Sequence, residues 1–130
     1  MRINTHLHHD VLMIEPTGRI TVETESQFTE SVRTLVAAGP QRFALDLAAV
    51  PYVDSVGLGA IVQAYTSARR RGGDMKLLHA GPRIGRLLTI TRLFTVLKNY
   101  DSQFELERSF HADSEEASSA AGMMRVGGYP

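Results

Sequence analysis

Residues 43–59 of this 130-residue chain read FALDLAAVPYVDSVGLG. In the first five positions large apolar residues alternate with Ala44 and Asp46, which is typical of a strand. From Asp54 onward the apolar residues take helical spacing, and the predicted helix ends near Arg70, just before Gly72. A strand that leads through a short loop into a helix is half of a βαβ unit, so this stretch indicates an α/β fold.

The alternation of strands and helices continues on both sides of this stretch. In chain order, the other predicted elements are strands at 3–7 and 11–16 that form a hairpin, a helix from a Thr24-to-Gln27 capping box to Gly39, a strand at 75–79, a helix from Pro82, a strand at 96–100 and a short helix capped by Ser102. We therefore predict an α/β fold: a mostly parallel four- to five-stranded sheet with an N-terminal hairpin strand and about four helices packed against it.

The chain is long enough for one hydrophobic core and too short for two ordinary domains. After Phe110 the apolar periodicity stops, and small and polar residues take over. The sequence therefore predicts one domain at residues 1–112 and a flexible C-terminal tail at residues 113–130.

Composition excludes several classes of protein. Fourteen basic residues balance fourteen acidic ones, which argues against a nucleic-acid binder, and the absence of cysteine excludes disulfides and thiolate sites. No apolar run has the length of a transmembrane helix, and the N-terminus lacks the apolar segment of a signal peptide. We expect a cytoplasmic protein that does not insert into membranes.

Ser55 is the residue of most interest, because it lies where the predicted helix begins. Free backbone N–H groups and the positive end of the helix dipole favour an anion at such a place. Three roles stay open for this serine: a helix cap shared with Asp54, a phosphorylation site, or a nucleophile. The last is the weakest, since Val53 takes the first glycine position of Gly-x-Ser-x-Gly and no general base is evident. We therefore expect no enzymatic activity.

The histidines of the N-terminal hairpin, His6, His8 and His9, are the other group with metal-binding chemistry. No nearby cysteine or carboxylate pair completes a ligand set in the sequence. We expect exposed histidines, with no metal and no cofactor.

Residues 43–59 resemble the STAS domain family, in particular the bacterial anti-sigma factor antagonists. In that family a strand ending in Leu-Asp-Leu precedes Asp-Ser-x-Gly-Leu at the start of a helix. Four further segments resemble segments of the family and occur in the same order along the chain: Gly18-Arg19-Ile20, Arg71-Gly72-Gly73, Thr91-Arg92-Leu93 and Tyr100-Asp101-Ser102. The resemblance covers residues 8–110. It has three departures: Thr21 where the family often has Asp, Val56 where it often has Ser or Thr, and Arg92 where Gly is common.

The resemblance implies regulation by partner switching. An unphosphorylated antagonist binds an anti-sigma factor that is also a serine protein kinase, phosphorylation breaks the complex, and a PP2C-type phosphatase restores it. Ser55 matches the phosphorylated serine. The implied partner-binding residues are Asp54, Ser55, Val56, Gly57 and Leu58, extended by Thr21, Val22 and Glu23.

Phosphorylation would add a charge of about −1.5 to −2 at Ser55. We expect this charge to act on the interface with the partner, with little refolding of the domain. The alternative function is a STAS module that senses a nucleotide or small anion, or a regulatory subunit of a transport complex. Self-association as a weak homodimer stays open.

Overall fold

A computed structural model describes residues 1–113. Its centre is a sheet of five strands, β1 (Arg2–His8), β2 (Val11–Thr17), β3 (Arg42–Asp46), β4 (Asp74–Leu78) and β5 (Asn99–Tyr100). The strands lie in the order β1-β2-β3-β4-β5; β1 and β2 are antiparallel, and the remaining neighbours are parallel. This arrangement confirms the predicted α/β fold and its N-terminal hairpin.

Four α-helices and a short 3-10 helix connect and cover these strands in the described part of the chain. They are α1 (Glu25–Ala38), α2 (Ser55–Arg70), α3 (Gly81–Ile90), a 3-10 turn at Leu93–Thr95, and α4 at 103–113. Within residues 1–113, none of the helices combines the length and apolarity required to cross a bilayer.

The two faces of the sheet carry separate hydrophobic clusters. Phe43 and Leu45 of β3 point to the face covered by α1, α2 and α3, where Phe28 and Ile61 complete a large core. Ala44 points the other way, into a smaller cluster with residues of α4. Because both faces are covered, β3 and β4 are almost continuously buried, as expected for central parallel strands.

Two local predictions were wrong. Thr24 precedes α1, but its side chain makes no cap hydrogen bond; its hydroxyl donates instead to the Arg19 carbonyl at 2.7 Å. The predicted capping box therefore does not form. The strand predicted at 96–100 is confined to Asn99–Tyr100, because Leu93–Thr95 form a 3-10 turn and Leu97 is drawn into the core.

The carboxyl ends of β2, β3 and β4 meet at one edge of the sheet, which we call the carboxyl edge. The loops that leave it are 18–24, 47–54 and 79–80. Parallel sheets place their functional residues at this edge. The predicted domain boundary at 112 falls at the end of the described range and stays a prediction, as does the tail, which lies outside the described residues from 114 onward.

Candidate functional site

Asp54 at the carboxyl edge begins α2 and ties two loops together. Its backbone is extended (φ −92°, ψ −176°), and its carboxylate accepts a hydrogen bond from the Gly57 N–H at 2.8 Å. The second carboxylate oxygen accepts from the Val22 N–H in the neighbouring loop at 3.0 Å. Asp54 is therefore both the N-cap of α2 and a bridge to the loop that follows β2.

The charge state of Asp54 follows from these bonds. Hydrogen bonds from the backbone N–H groups of Gly57 and Val22 hold the pKa of the Asp54 carboxyl below its ordinary value of 3.8. The carboxylate is thus ionised at neutral pH, and a carboxyl whose pKa is held below its ordinary value is a weaker general base.

The two loops also meet through their backbones. Ile20 and Val53 form an isolated parallel bridge, and the Ile20 N–H donates to the Tyr52 carbonyl at 3.1 Å. A Cβ atom built on Gly57 would lie 1.9 Å from the Ile20 carbonyl oxygen. Glycine is therefore required at position 57 because the helix and the loop approach too closely for any side chain.

Ser55 is the first residue of α2 and is exposed. The capping role that the sequence left open between Asp54 and Ser55 belongs to Asp54, which has taken the Gly57 N–H. The Ser55 side chain is thus accessible to solvent at the start of the helix.

The predicted partner-binding residues differ in their exposure to solvent. Ser55, Val56, Val22 and Glu23 are exposed, whereas Asp54 and Thr21 are half-buried and Gly57 and Leu58 are buried. The buried pair supports this surface from beneath.

A groove of about 600 Å³ separates the start of α2 from α3. One wall contains Asp54, Ser55 and Leu58, and the other carries two arginines of α3, Arg83 and Arg86. No sequence motif marks these arginines as functional, although their spacing of three residues on a helix with buried Ile84 and Leu88 places them on a solvent-facing side. The groove therefore has a serine hydroxyl on one wall and two cationic groups on the other.

Exposed apolar side chains surround Ser55. Val22 is 67% exposed, Val56 is 42% exposed, and Ile90, which also lines the groove, is 71% exposed. Tyr52 lies between the groove and a smaller hollow of about 350 Å³ that Asp54 and Thr21 also line. We call the exposed residues Val22, Tyr52, Ser55, Val56, Arg83, Arg86 and Ile90 the switch surface.

Comparison with known proteins identifies the family of this chain. The STAS domain family model matches residues 2–107. The chain is 30% identical over 93 residues to an anti-sigma-B factor antagonist of Staphylococcus epidermidis, covering 72% of this chain and 86% of the relative.

Solved structures show the same fold. A Thermotoga maritima protein described as a candidate anti-sigma factor antagonist has a TM-score of 0.77 at 26% identity, covering 82% of this chain and 92% of that one. The Bacillus protein SpoIIAA in its phosphorylated form has a TM-score of 0.64 at 13% identity, covering 83% and 99%. The family match spans most of the chain, and we conclude that it belongs to the STAS domain family.

Proposed function

We propose that this chain is an anti-sigma factor antagonist that acts by partner switching in the cytoplasm, without catalysis of its own. In its unphosphorylated form the switch surface binds an anti-sigma factor that is also a serine kinase. Phosphorylation of Ser55 releases the partner, and a PP2C-type phosphatase restores binding. The observation that carries the proposal is an exposed Ser55 at the start of α2, within a surface that combines apolar side chains and arginines.

The composition of the switch surface suits a protein partner. Val22, Val56 and Ile90 offer apolar area that a partner can bury. Tyr52 and the two groove arginines belong to the residue types that are enriched at binding hot spots. A partner that presents apolar groups beside carboxylates would match this surface.

A phosphate on Ser55 would be repelled by the adjacent Asp54 carboxylate and attracted by Arg83 and Arg86, which line the same groove. The Asp54 carboxylate is ionised, and it already accepts the Gly57 N–H that an anion at the helix start would otherwise use. An exposed pair of like charges is screened by water, so the isolated domain tolerates the modification. A bound partner would have to desolvate the dianion, and each loss of about 1.4 kcal/mol lowers affinity tenfold.

Binding by two Ser55 variants tests the switch. Ser55→Ala should bind the kinase partner at least as tightly as the wild type, while Ser55→Asp should bind at least about tenfold more weakly. Ser31→Asp is the matched control, because Ser31 is also an exposed helical serine but lies in α1. Candidate kinases are the histidine-kinase-like serine kinases encoded in the same genome, and mass spectrometry locates the phosphate. Equal affinity of the two Ser55 variants would contradict the proposal.

The groove arginines favour a second candidate, a module that senses a nucleotide or small anion. The groove volume of about 600 Å³ is within the range of small-molecule sites, and Arg83 and Arg86 offer charge-assisted hydrogen bonds to phosphate. Calorimetry with GTP, ATP and inorganic phosphate distinguishes the candidates. If the domain senses an anion, the wild type should bind at least one of these ligands. The double variant Arg83→Gln/Arg86→Gln should lose that binding, and Arg33→Gln on α1 should retain it.

A further inference from the structure

Two histidines and a glutamate meet at the tip of the β1–β2 hairpin, at the edge of the sheet opposite the carboxyl edge. The His8 Nδ1 atom lies 2.6 Å from the Glu107 Oε1 atom of α4, and His9 Nδ1 lies 3.6 Å from the same oxygen. One potential ligand atom from each of the three residues lies within 4.8 Å of the other two. This is the only such group of three among residues 1–113.

The hairpin turn explains how two adjacent histidines reach the same carboxylate. Neighbouring residues of a regular strand point to opposite faces. The chain leaves that pattern at His9 and Asp10, whose φ angles of 48° and 69° lie in the left-handed region. Left-handed residues at both positions of a two-residue loop are typical of a type I′ turn. The turn brings the His9 ring to 4.1 Å from the His8 ring, measured between centroids.

Glu107 is held firmly, whereas the histidines are accessible. Its neighbours on α4, Leu106 and Phe110, are buried in the smaller core cluster, which fixes the helix against the sheet. The Glu107 side chain is only 15% exposed, while those of His8 and His9 are 43% and 79% exposed. A metal ion can therefore enter from the solvent side and meet a carboxylate that is already in position.

Two imidazole nitrogens and one carboxylate oxygen form a ligand set that suits Zn²⁺ and related ions. Zinc–ligand distances of about 2.0–2.2 Å place neighbouring donor atoms of a tetrahedral site roughly 3.3 Å apart. The distances from the Glu107 Oε1 atom to His8 Nδ1 and His9 Nδ1, 2.6 Å and 3.6 Å, lie on either side of that spacing. We propose that His8, His9 and Glu107 bind a divalent transition-metal ion of the zinc class, with water in the remaining position.

Such an ion would link the hairpin to α4 across 99 positions of sequence. It would stabilise the folded state by mass action, because the three ligands converge only after folding. Sequence spacing does not reveal the cluster, since Glu107 reaches the histidines through the packing of α4 on the sheet. The site is independent of Ser55 and of the proposed switch.

Calorimetric titration of the untagged protein with zinc chloride tests the site. The wild type should bind one zinc ion, and His9→Asn and Glu107→Gln should each weaken binding at least about tenfold. Asparagine tolerates the left-handed backbone, so His9→Asn preserves the turn. His6→Asn is the matched control, because His6 also lies beside a carboxylate, with its Nδ1 atom 3.3 Å from Glu15.

Thermal unfolding gives a second readout. Zinc should raise the unfolding midpoint of the wild type and of His6→Asn, EDTA should reverse the rise, and Glu107→Gln should show none. Paramagnetic Ni²⁺ should broaden the amide signals of residues 8–10 and 107 before others. Wild-type zinc affinity in both His9→Asn and Glu107→Gln, or an equal loss in His6→Asn, would overturn the proposal.

Discussion

At the scale of single residues, two glycines of α2 have opposite roles. A Cβ atom at Gly57 would overlap the Ile20 carbonyl, whereas one at Gly59 meets nothing within 4 Å. Gly57→Ala should therefore destabilise the domain by more than about 3 kcal/mol. Gly59→Ala should stabilise it by about 0.5–1 kcal/mol, because alanine is the better helix former. Urea unfolding measures both changes, and equal stability of the two variants would contradict the close approach at Gly57.

The Asp54 carboxylate should make stability depend on pH. Because its pKa is lowered in the folded state, its contribution is present above the unfolded pKa of about 4. That contribution is lost as the pH falls through the folded pKa. Asp54→Asn retains a capping oxygen but has no second oxygen for the Val22 N–H.

Urea unfolding of the wild type and Asp54→Asn at several pH values between 7 and 2.5 measures this contribution. We expect the wild type to be more stable at pH 7 and the difference to shrink at the acid end. The other carboxyl groups titrate in both proteins, so their contributions cancel in the difference between the two free energies of unfolding. A difference that stays constant across this range would show that the carboxylate's charge is not responsible.

At the scale of elements, α4 is attached to the sheet through a buried lysine. Lys76 of β4 is 4% exposed, and its ammonium group donates to Asp113 at 2.6 Å and to Ser109 at 2.8 Å. It also lies 4.6 Å from the centre of the Phe110 ring. Burial of a charge is tolerated here because α4 supplies an anion, a hydroxyl and an aromatic face.

Removing the anion of this interaction should destabilise the domain more than replacing the lysine with an apolar residue. Asp113→Asn leaves the buried ammonium group without its anion and should destabilise the domain by about 1–3 kcal/mol. Lys76→Met fills the same space with an apolar chain and should stay within about 1 kcal/mol of the wild type. Arg69→Gln is the control: the exposed Arg69 side chain lies 3.8 Å from Asp74, and its loss should change stability by less than about 0.5 kcal/mol. A greater loss in Lys76→Met than in Asp113→Asn would contradict this assignment.

Elements with strong local signals were predictable from the sequence. Gly39 and the arginine run at 69–71 mark the ends of α1 and α2 because helix termination is a local event. The capping box failed because the Thr24 hydroxyl finds a partner in the Arg19 carbonyl, a choice that depends on the shape of the loop. The bond from Asp54 to the Val22 N–H and the pairing of His8 with Glu107 depend on tertiary packing, so no local pattern predicts them.

At the scale of the whole molecule, the two proposed sites lie at opposite edges of one sheet. The switch surface lies where β2, β3 and β4 end, and the histidine cluster lies where β2 begins. Between them, the residues of β3 and β4 that face α1 and α2 form a continuous core with the helices. Such close-packed interiors resist small deformations. Because the exposed Ser55 is not part of this core, we expect its modification to leave the opposite edge unchanged.

Phosphorylation of Ser55 should thus act on binding without refolding the domain. Ser55 is exposed, and the groups that hold the start of α2, Asp54 and Gly57, are bonded to each other and not to the Ser55 hydroxyl. Amide spectra before and after modification should change in the loop at 18–24, at residues 50–58 around the start of α2, and along the groove wall at 83–91. The signals of β3, β4 and α4 should stay in place.

The global stability of the phosphorylated domain should remain within about 1 kcal/mol of the unmodified form, because the helix-dipole benefit and the repulsion from Asp54 are both screened and opposite in sign. Urea unfolding of the two forms measures this directly. Phosphorylated Asp54→Asn separates the two contributions, since it removes the repulsion and keeps a capping oxygen. If phosphorylation shifted signals throughout the sheet or lowered stability by several kcal/mol, the switch would operate by unfolding. In that case Ser55→Asp would weaken partner binding through loss of the folded surface, and the affinity loss would track the fraction unfolded.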